Sequence, residues 1–302
     1  MPKRPRTSQK RSPVISRQQR SLRSGVTSSV RDYEYLCRHA SHRLGIVAEG
    51  DSWFSYPRSY LLAGPDINLL HHLRSTTDGS DAVNLLCLSR NGDEAAEMLA
   101  GRQKYRLARV LERTQAHTDI IFFSGGGNDL VGRYDMDRLL REHQTGFAAE
   151  DCIEQAALER KLKRIELAFS ELLELRNAYA PNAHVVTHTY DIVKPSAVGA
   201  ELLKFYKVGP WIYPYLLKKG IPANLHLEIS RIMLEALASR INSLAKSDLA
   251  RQKFIVADTQ GTLRPGHGGD WLNEIHPSGP GSKRLFKVIY QQMRASFPQL
   301  PR

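Results

Sequence analysis

Short apolar runs alternate with longer stretches of helical period along most of this chain. Gly45 to Ala48 is the first run and ends at Glu49-Gly50-Asp51-Ser52; Ala82 to Leu88 is the second and ends at Asn91-Gly92. Asp119 to Ser124 is the third, followed by Gly125-Gly126-Gly127-Asn128-Asp129. His184 to Thr187 leads to Tyr190-Asp191, and Phe254 to Ala257 leads to Asp258. Between these runs, Leu158, Leu162, Ile165, Phe169 and Leu172 recur three or four residues apart, the signature of an amphipathic helix. Ile229, Met233, Leu237, Ile241 and Leu244 form a second stripe, and Leu285, Val288, Ile289 and Met293 a third, behind Pro280. A shorter helix is expected around Tyr33 to His42. Strands without a polar alternate face are buried on both sides, so strands and helices in this order predict an α/β fold. The expected architecture is a single doubly wound domain, a five-stranded, mainly parallel sheet with helices on both faces.

Composition refines this picture. Of 302 residues, 41% are hydrophobic and 25% charged, which excludes wholesale disorder and coiled coil. The formal charge of +12 invites a nucleic-acid reading. Nine of the 43 basic residues, from Lys3 to Arg31, lie in residues 1–31, which contain no acid, leaving +3 for the rest. That segment is rich in Ser, Gln and Thr and is expected to be a flexible basic arm, with residues 32–302 as the folded domain. Such an arm can touch anionic surfaces through charge, but it has no interleaved aromatics to stack on bases, so no specific nucleic-acid partner is expected. No apolar run approaches the roughly 20 residues of a membrane span, and no signal peptide is visible. Cys37, Cys87 and Cys152 are widely spaced and odd in number, which fits a reducing, cytoplasmic setting; Cys87, in an apolar strand, is expected to be buried and inert.

In open parallel sheets, functional groups collect at the carboxyl ends of strands. Ser52 follows the first strand in Gly50-Asp51-Ser52-Trp53, where alone it would read as a helix cap. Gly125 to Asp129 follows the third strand and offers the Asn128 amide as a donor; no Lys-Ser/Thr follows, as a P-loop requires. Asp270-Trp271-Leu272-Asn273-Glu274-Ile275-His276-Pro277 precedes the last helix, where a base at His276 can reach back to the first strand end. His71-His72 lacks acidic or cysteine companions, and no spacing calls for a metal or organic cofactor. His188 reads either as a pocket residue or as a hydrogen-bonded structural histidine.

Taken together, these blocks resemble the SGNH, or GDSL-type, hydrolases, within them the bacterial group whose first block reads GDSWF. Gly50 to Pro57 matches the first block, Gly92 the second, Gly126-Gly127-Asn128-Asp129 the third and Asn273 to Pro277 the last, spanning about Leu44 to Arg294. The resemblance implies a flavodoxin-like SGNH fold and a serine esterase or lipase acting on a small-molecule or lipid ester. In that scheme Ser52 is the nucleophile and His276 the base, with the Ser52 and Gly92 backbone amides and Asn128 holding the oxyanion. The family usually carries Asp three residues before the histidine; this chain has Asn273. Three readings stay open: Asn273 or a main-chain carbonyl orients His276, Asp270 or Glu274 substitutes as the carboxylate, or the site is crippled and the protein binds without turnover. An acetyl esterase acting on carbohydrate is a further alternative. Residues 194–224, with Phe205, Tyr206, Trp211, Ile212, Tyr213, Tyr215, Leu216 and Leu217, form a helical aromatic insertion that either packs as an extra layer or walls an acyl site.

Overall fold

A computed structural model describes residues 16–56, 68–78, 80–132, 135–203 and 206–302. Pro57, Phe205 and residues 1–15 of the expected arm lie outside the described residues.

The chain enters through α1 (Arg17–Ser24), β1 (Val26–Thr27) and α2 (Val30–His39), then β2 (Leu44–Gly50), a short α3 (Ser52–Ser55), α4 (Leu69–Thr77) and β3 (Val83–Cys87). Next come α5 (Ala95–Met98), α6 (Gly101–Thr114), β4 (Ile120–Ser124), α7 (Gly127–Val131), α8 (Asp135–Leu139), α9 (Gln155–Tyr179) and β5 (His184–His188). A hairpin of β6 (Ala200–Leu203) and β7 (Tyr206–Val208) precedes α10 (Tyr213–Lys218), α11 (His226–Ala245), β8 (Phe254–Ala257) and α12 (Gly279–Ser296). The five apolar runs are all strands, and the three periodic stripes are α9, α11 and α12.

The main sheet has the order β1-β3-β2-β4-β5-β8, and every pair in it is parallel. It holds six strands rather than five. In β2 and β4 every residue is buried, as two-sided coverage requires. From β2 the chain moves to β3 on one side and then returns to β4 on the other, so the order reverses at the carboxyl end of β2. That is where a doubly wound sheet opens a crevice.

The sixth strand corrects the expected arm, of which residues 16–31 are folded. Ser16 and Gln19 form a reciprocal capping box at the start of α1, and Gly25 ends the helix in the left-handed conformation. Val26 and Thr27 then pair with Leu85 and Leu86, while the Arg43 guanidinium donates to the Leu22 carbonyl at 2.9 Å. The insertion is corrected too. Its first half is the antiparallel β6–β7 hairpin, and only its second half is helical.

Gly25 combines φ of +66° with a position at which a Cβ would sit 2.4 Å from the Val83 carbonyl oxygen. Gly25→Val is therefore expected to cost at least about 1–3 kcal/mol from backbone strain alone, read as a lower urea midpoint; an unchanged midpoint would show that β1 is not part of the cooperative fold.

Candidate active site

The carboxyl end of β2 is shaped by close backbone approach. Gly50 runs so near β4 that a Cβ would meet the Ser124 carbonyl at 2.8 Å, and the Asp51 N–H donates to that same oxygen at 3.1 Å. Asp51 then caps α3 by accepting the Trp53 N–H at 3.0 Å, which puts Ser52 first in the helix. The backbone N–H of Ser52 thus belongs to a helical first turn, whose amides have no intrahelical acceptors.

Asp51 is held from below by Tyr190, whose hydroxyl donates to its Oδ2, and by the Ser124 hydroxyl at 2.8 Å from Oδ1. Burial pushes its carboxyl up to about 6 against these stabilising bonds. Ser124 Oγ also lies 3.0 Å from Nε2 of His188, whose Nδ1 faces the Thr189 carbonyl. That carbonyl only accepts, so Nδ1 of His188 carries a proton and a neutral ring leaves Nε2 as an acceptor. One serine proton then faces two acceptors, Oδ1 of Asp51 and Nε2 of His188. Burial pushes His188 down to about 4, and the residue takes the structural of its two expected roles.

His276 reaches the same point from the loop before α12. Leu272 N–H donates to the His276 carbonyl at 2.8 Å, and the Trp53 indole donates to the Ile275 carbonyl at 3.1 Å, tying this loop to α3. Nε2 of His276 stands 2.9 Å from Ser52 Oγ, and Nδ1 stands 2.9 Å from Asn273 Oδ1. Burial pushes the imidazole down to about 3, so it is neutral at neutral pH.

Asn273 settles the proton on that ring. Its Oδ1 also accepts the backbone N–H groups of Ile275 at 3.2 Å and of His276 at 3.0 Å. Those two donors admit only the oxygen, so the amide cannot turn its NH₂ toward the imidazole. Nδ1 must therefore donate, and Nε2 presents its lone pair to Ser52. Among the groups offered to orient His276, the one bonded to Nδ1 is Asn273. Its Nδ2 is buried without a partner.

The carboxylates offered as substitutes are engaged elsewhere. Asp270 accepts from the Arg264 backbone N–H at 2.8 Å and is paired with the Arg264 and Arg284 guanidiniums, which together hold its carboxyl far below the usual range. Glu274 accepts the backbone N–H groups of Ser196, Trp211, Ile212 and Tyr213, and so fastens the insertion to the His276 loop. Both residues are corrections: Asp270 braces the loop and Glu274 braces the wall, while the imidazole is bonded to neither.

The three residues expected to hold an oxyanion share one cleft. The Asn128 amide donates to the Asp93 carbonyl at 3.0 Å with one hydrogen, and Asp129 caps α5 through the Ala95 N–H at 2.7 Å, locking the second and third blocks together. Ser52, Gly92, Asn128 and His276 line that open cleft, with Tyr56 and Trp211 flanking the imidazole. A second, narrow cleft opens from Ser52 and Asn128 between α7 and α11 and is walled mainly by apolar side chains such as Trp53, Val131, Ile212 and Met233. Ala200, Val208 and Trp211 line the first and Ile212 the second, so the insertion is a wall of the site.

Several residues here escaped the sequence reading. Asp51, Ser124 and Tyr190 carry no periodic signal, and Met233 read only as a core stripe. Of the remaining candidates, His71 lies 3.3 Å from Ser75 Oγ, and no group of three metal-ligating side chains occurs among the described residues. Cys87 is half-buried rather than buried, and desolvation pushes its thiol up to about 11.

Comparison with solved structures bears on this arrangement. A lipase from a goat rumen metagenome superposes with a TM-score of 0.53 at 15% identity, over 82% of this chain and 97% of that one. Phospholipase A1 from Streptomyces albidoflavus superposes at 0.52 and 16% identity, over 83% and 99%. The chain shares the fold of this lipase and this phospholipase A1, in line with the SGNH resemblance of its motif blocks. No protein-family model matches the chain, and no curated protein matches it in sequence.

The Glu274 carboxylate meets four main-chain donors while buried. Glu274→Gln puts an NH₂ group among them and is expected to cost about 2–4 kcal/mol, measured as a lower urea midpoint at unchanged slope; an unshifted midpoint would remove its bracing role.

Proposed function

We propose that this protein is a serine hydrolase of carboxylic esters that works through an acyl-enzyme intermediate. The observation that carries this reading is the aligned set in which Ser52 Oγ stands 2.9 Å from Nε2 of His276 and Nδ1 of His276 stands 2.9 Å from Asn273 Oδ1. The lipase and the phospholipase A1 with the same fold support ester hydrolysis as the reaction class.

In this scheme Ser52 Oγ attacks the carbonyl carbon while its proton passes to Nε2 of His276. Negative charge develops on the carbonyl oxygen, where the Ser52 and Gly92 N–H groups and the second Asn128 amide hydrogen meet it. Collapse breaks the bond to the alcohol, which leaves with the proton from Nε2. Water then repeats the sequence against the acyl enzyme and frees Ser52. In the protease template, exchanging the triad Asp for Asn costs about 10⁴ in turnover, largely by selecting the wrong tautomer. Here two backbone donors fix the amide, so that part of the loss is avoided. What is absent is the negative charge beside the imidazolium.

The apolar cavity beside Ser52 favours an acyl group over a polar sugar, which places lipid and simple carboxylic esters ahead of acetylated carbohydrate. A binding protein without turnover is the competing reading, favoured by the missing carboxylate. Labelling with a fluorophosphonate separates the two. Ser52 should label, Ser52→Ala and His276→Ala should lose turnover by at least about 10³, and Asp270→Ala should lose far less; wild-type turnover in Ser52→Ala would end the mechanism.

Because only the neutral ring takes the serine proton, a pKa pushed well below 6 keeps the enzyme active into mild acid. The acid limb of kcat/KM is therefore expected below pH 6, and Asn273→Asp, which sets a carboxylate against Nδ1, should move it up by about one pH unit or more. A limb that does not move would mean that position 273 does not govern the imidazole.

A further inference from the structure

The apolar cavity beside Ser52 contains one polar side chain left without a hydrogen-bond partner. Ser230, on α11, is fully buried and lines the cavity on the same helix face as Met233 and Leu234. Its Oγ has no hydrogen-bond partner. A serine inside a helix usually returns its proton to the carbonyl three or four residues back, and Ser230 does not.

The other polar side chains at this cavity are engaged. Asp51 and Tyr190 bond each other, Ser52 is bonded to His276, and Asn128 donates to Asp93. Alanine at position 230 would spare the fold a buried, unsatisfied hydroxyl and would favour the helix. A hydroxyl kept free in a space otherwise shaped for an acyl chain is a donor awaiting an acceptor brought by the ligand. Specificity of this kind arises because a plain alkyl chain leaves the donor desolvated and unpaired, whereas an oxygen at the right carbon satisfies it.

Resting on the esterase reading, we infer that Ser230 donates a hydrogen bond to an oxygen carried on the acyl chain, making oxygen-substituted acyl esters the preferred substrates over plain alkanoyl esters. The hydroxyl is a specificity determinant and takes no part in bond making or breaking.

The test compares 4-nitrophenyl hexanoate with its 3-, 4- and 5-oxo analogues, using wild type and Ser230→Ala. Each ester has the same intrinsic reactivity toward both proteins, so the ratio of kcat/KM between the two proteins isolates the contact. Ser230→Ala is expected to lose about threefold to tenfold on one oxo isomer relative to hexanoate, in line with a single neutral hydrogen bond. If Ser230→Ala changes all four esters by the same factor, the inference is overturned while the esterase reading stands. If wild type hydrolyses none of them, the esterase reading falls and this inference falls with it.

Discussion

One oxygen atom, Oδ1 of Asn273, fixes the chemical state of the site. It accepts from two backbone N–H groups of its own loop and from Nδ1 of His276. The two main-chain donors cannot be satisfied by an amide NH₂, so the orientation of Asn273 follows from the backbone and the tautomer of His276 follows from Asn273. In the usual arrangement a carboxylate does two things, setting the tautomer and stabilising the imidazolium by charge. Here the first is retained and the second is lost. Burial makes the loss visible, since it pushes the neutral ring down to about 3 with no opposing anion.

The rest of the fold serves that contact. Parallel strands bring β2 and β4 close enough for Asp51 to bond the Ser124 carbonyl, and the cap formed by Asp51 aims Ser52 at the crevice. Trp53, next to the nucleophile, holds the Ile275 carbonyl next to the base, so serine and histidine are coupled by a second, independent bond. Asp270 and Glu274 flank the same loop and brace it outward, one to the guanidiniums of Arg264 and Arg284, the other to four amides of the insertion. Removing charge from the imidazole's partner while keeping it in the braces gives a rigid site with a weakly basic histidine.

Much of this was legible in the sequence, for physical reasons. Parallel strands buried on both faces need continuous apolar runs, and all five such runs are strands. The pair Asn273 and His276 is three residues apart, a local relation that the family resemblance implied. Non-local relations were not legible. Val26 and Thr27 carry too little apolar signal to announce a strand, although the Ser16–Gln19 capping box and Gly25 mark the helix before it. Asp270 looked available as a carboxylate because Arg264 and Arg284 reach it only once the chain is folded. Glu274 finds all four of its amides more than 60 residues away, at Ser196, Trp211, Ile212 and Tyr213. Met233 read as a core residue and is also a cavity wall, a distinction that helical period cannot make.

The central claim concerns where one proton sits, and ¹⁵N NMR of the His276 imidazole, assigned by comparison with His276→Ala, measures it directly. The account predicts a neutral ring, protonated at Nδ1 and bare at Nε2, unchanged from pH 8 to about pH 5. A ring protonated at Nε2, or one that charges near the ordinary histidine pKa, would contradict it.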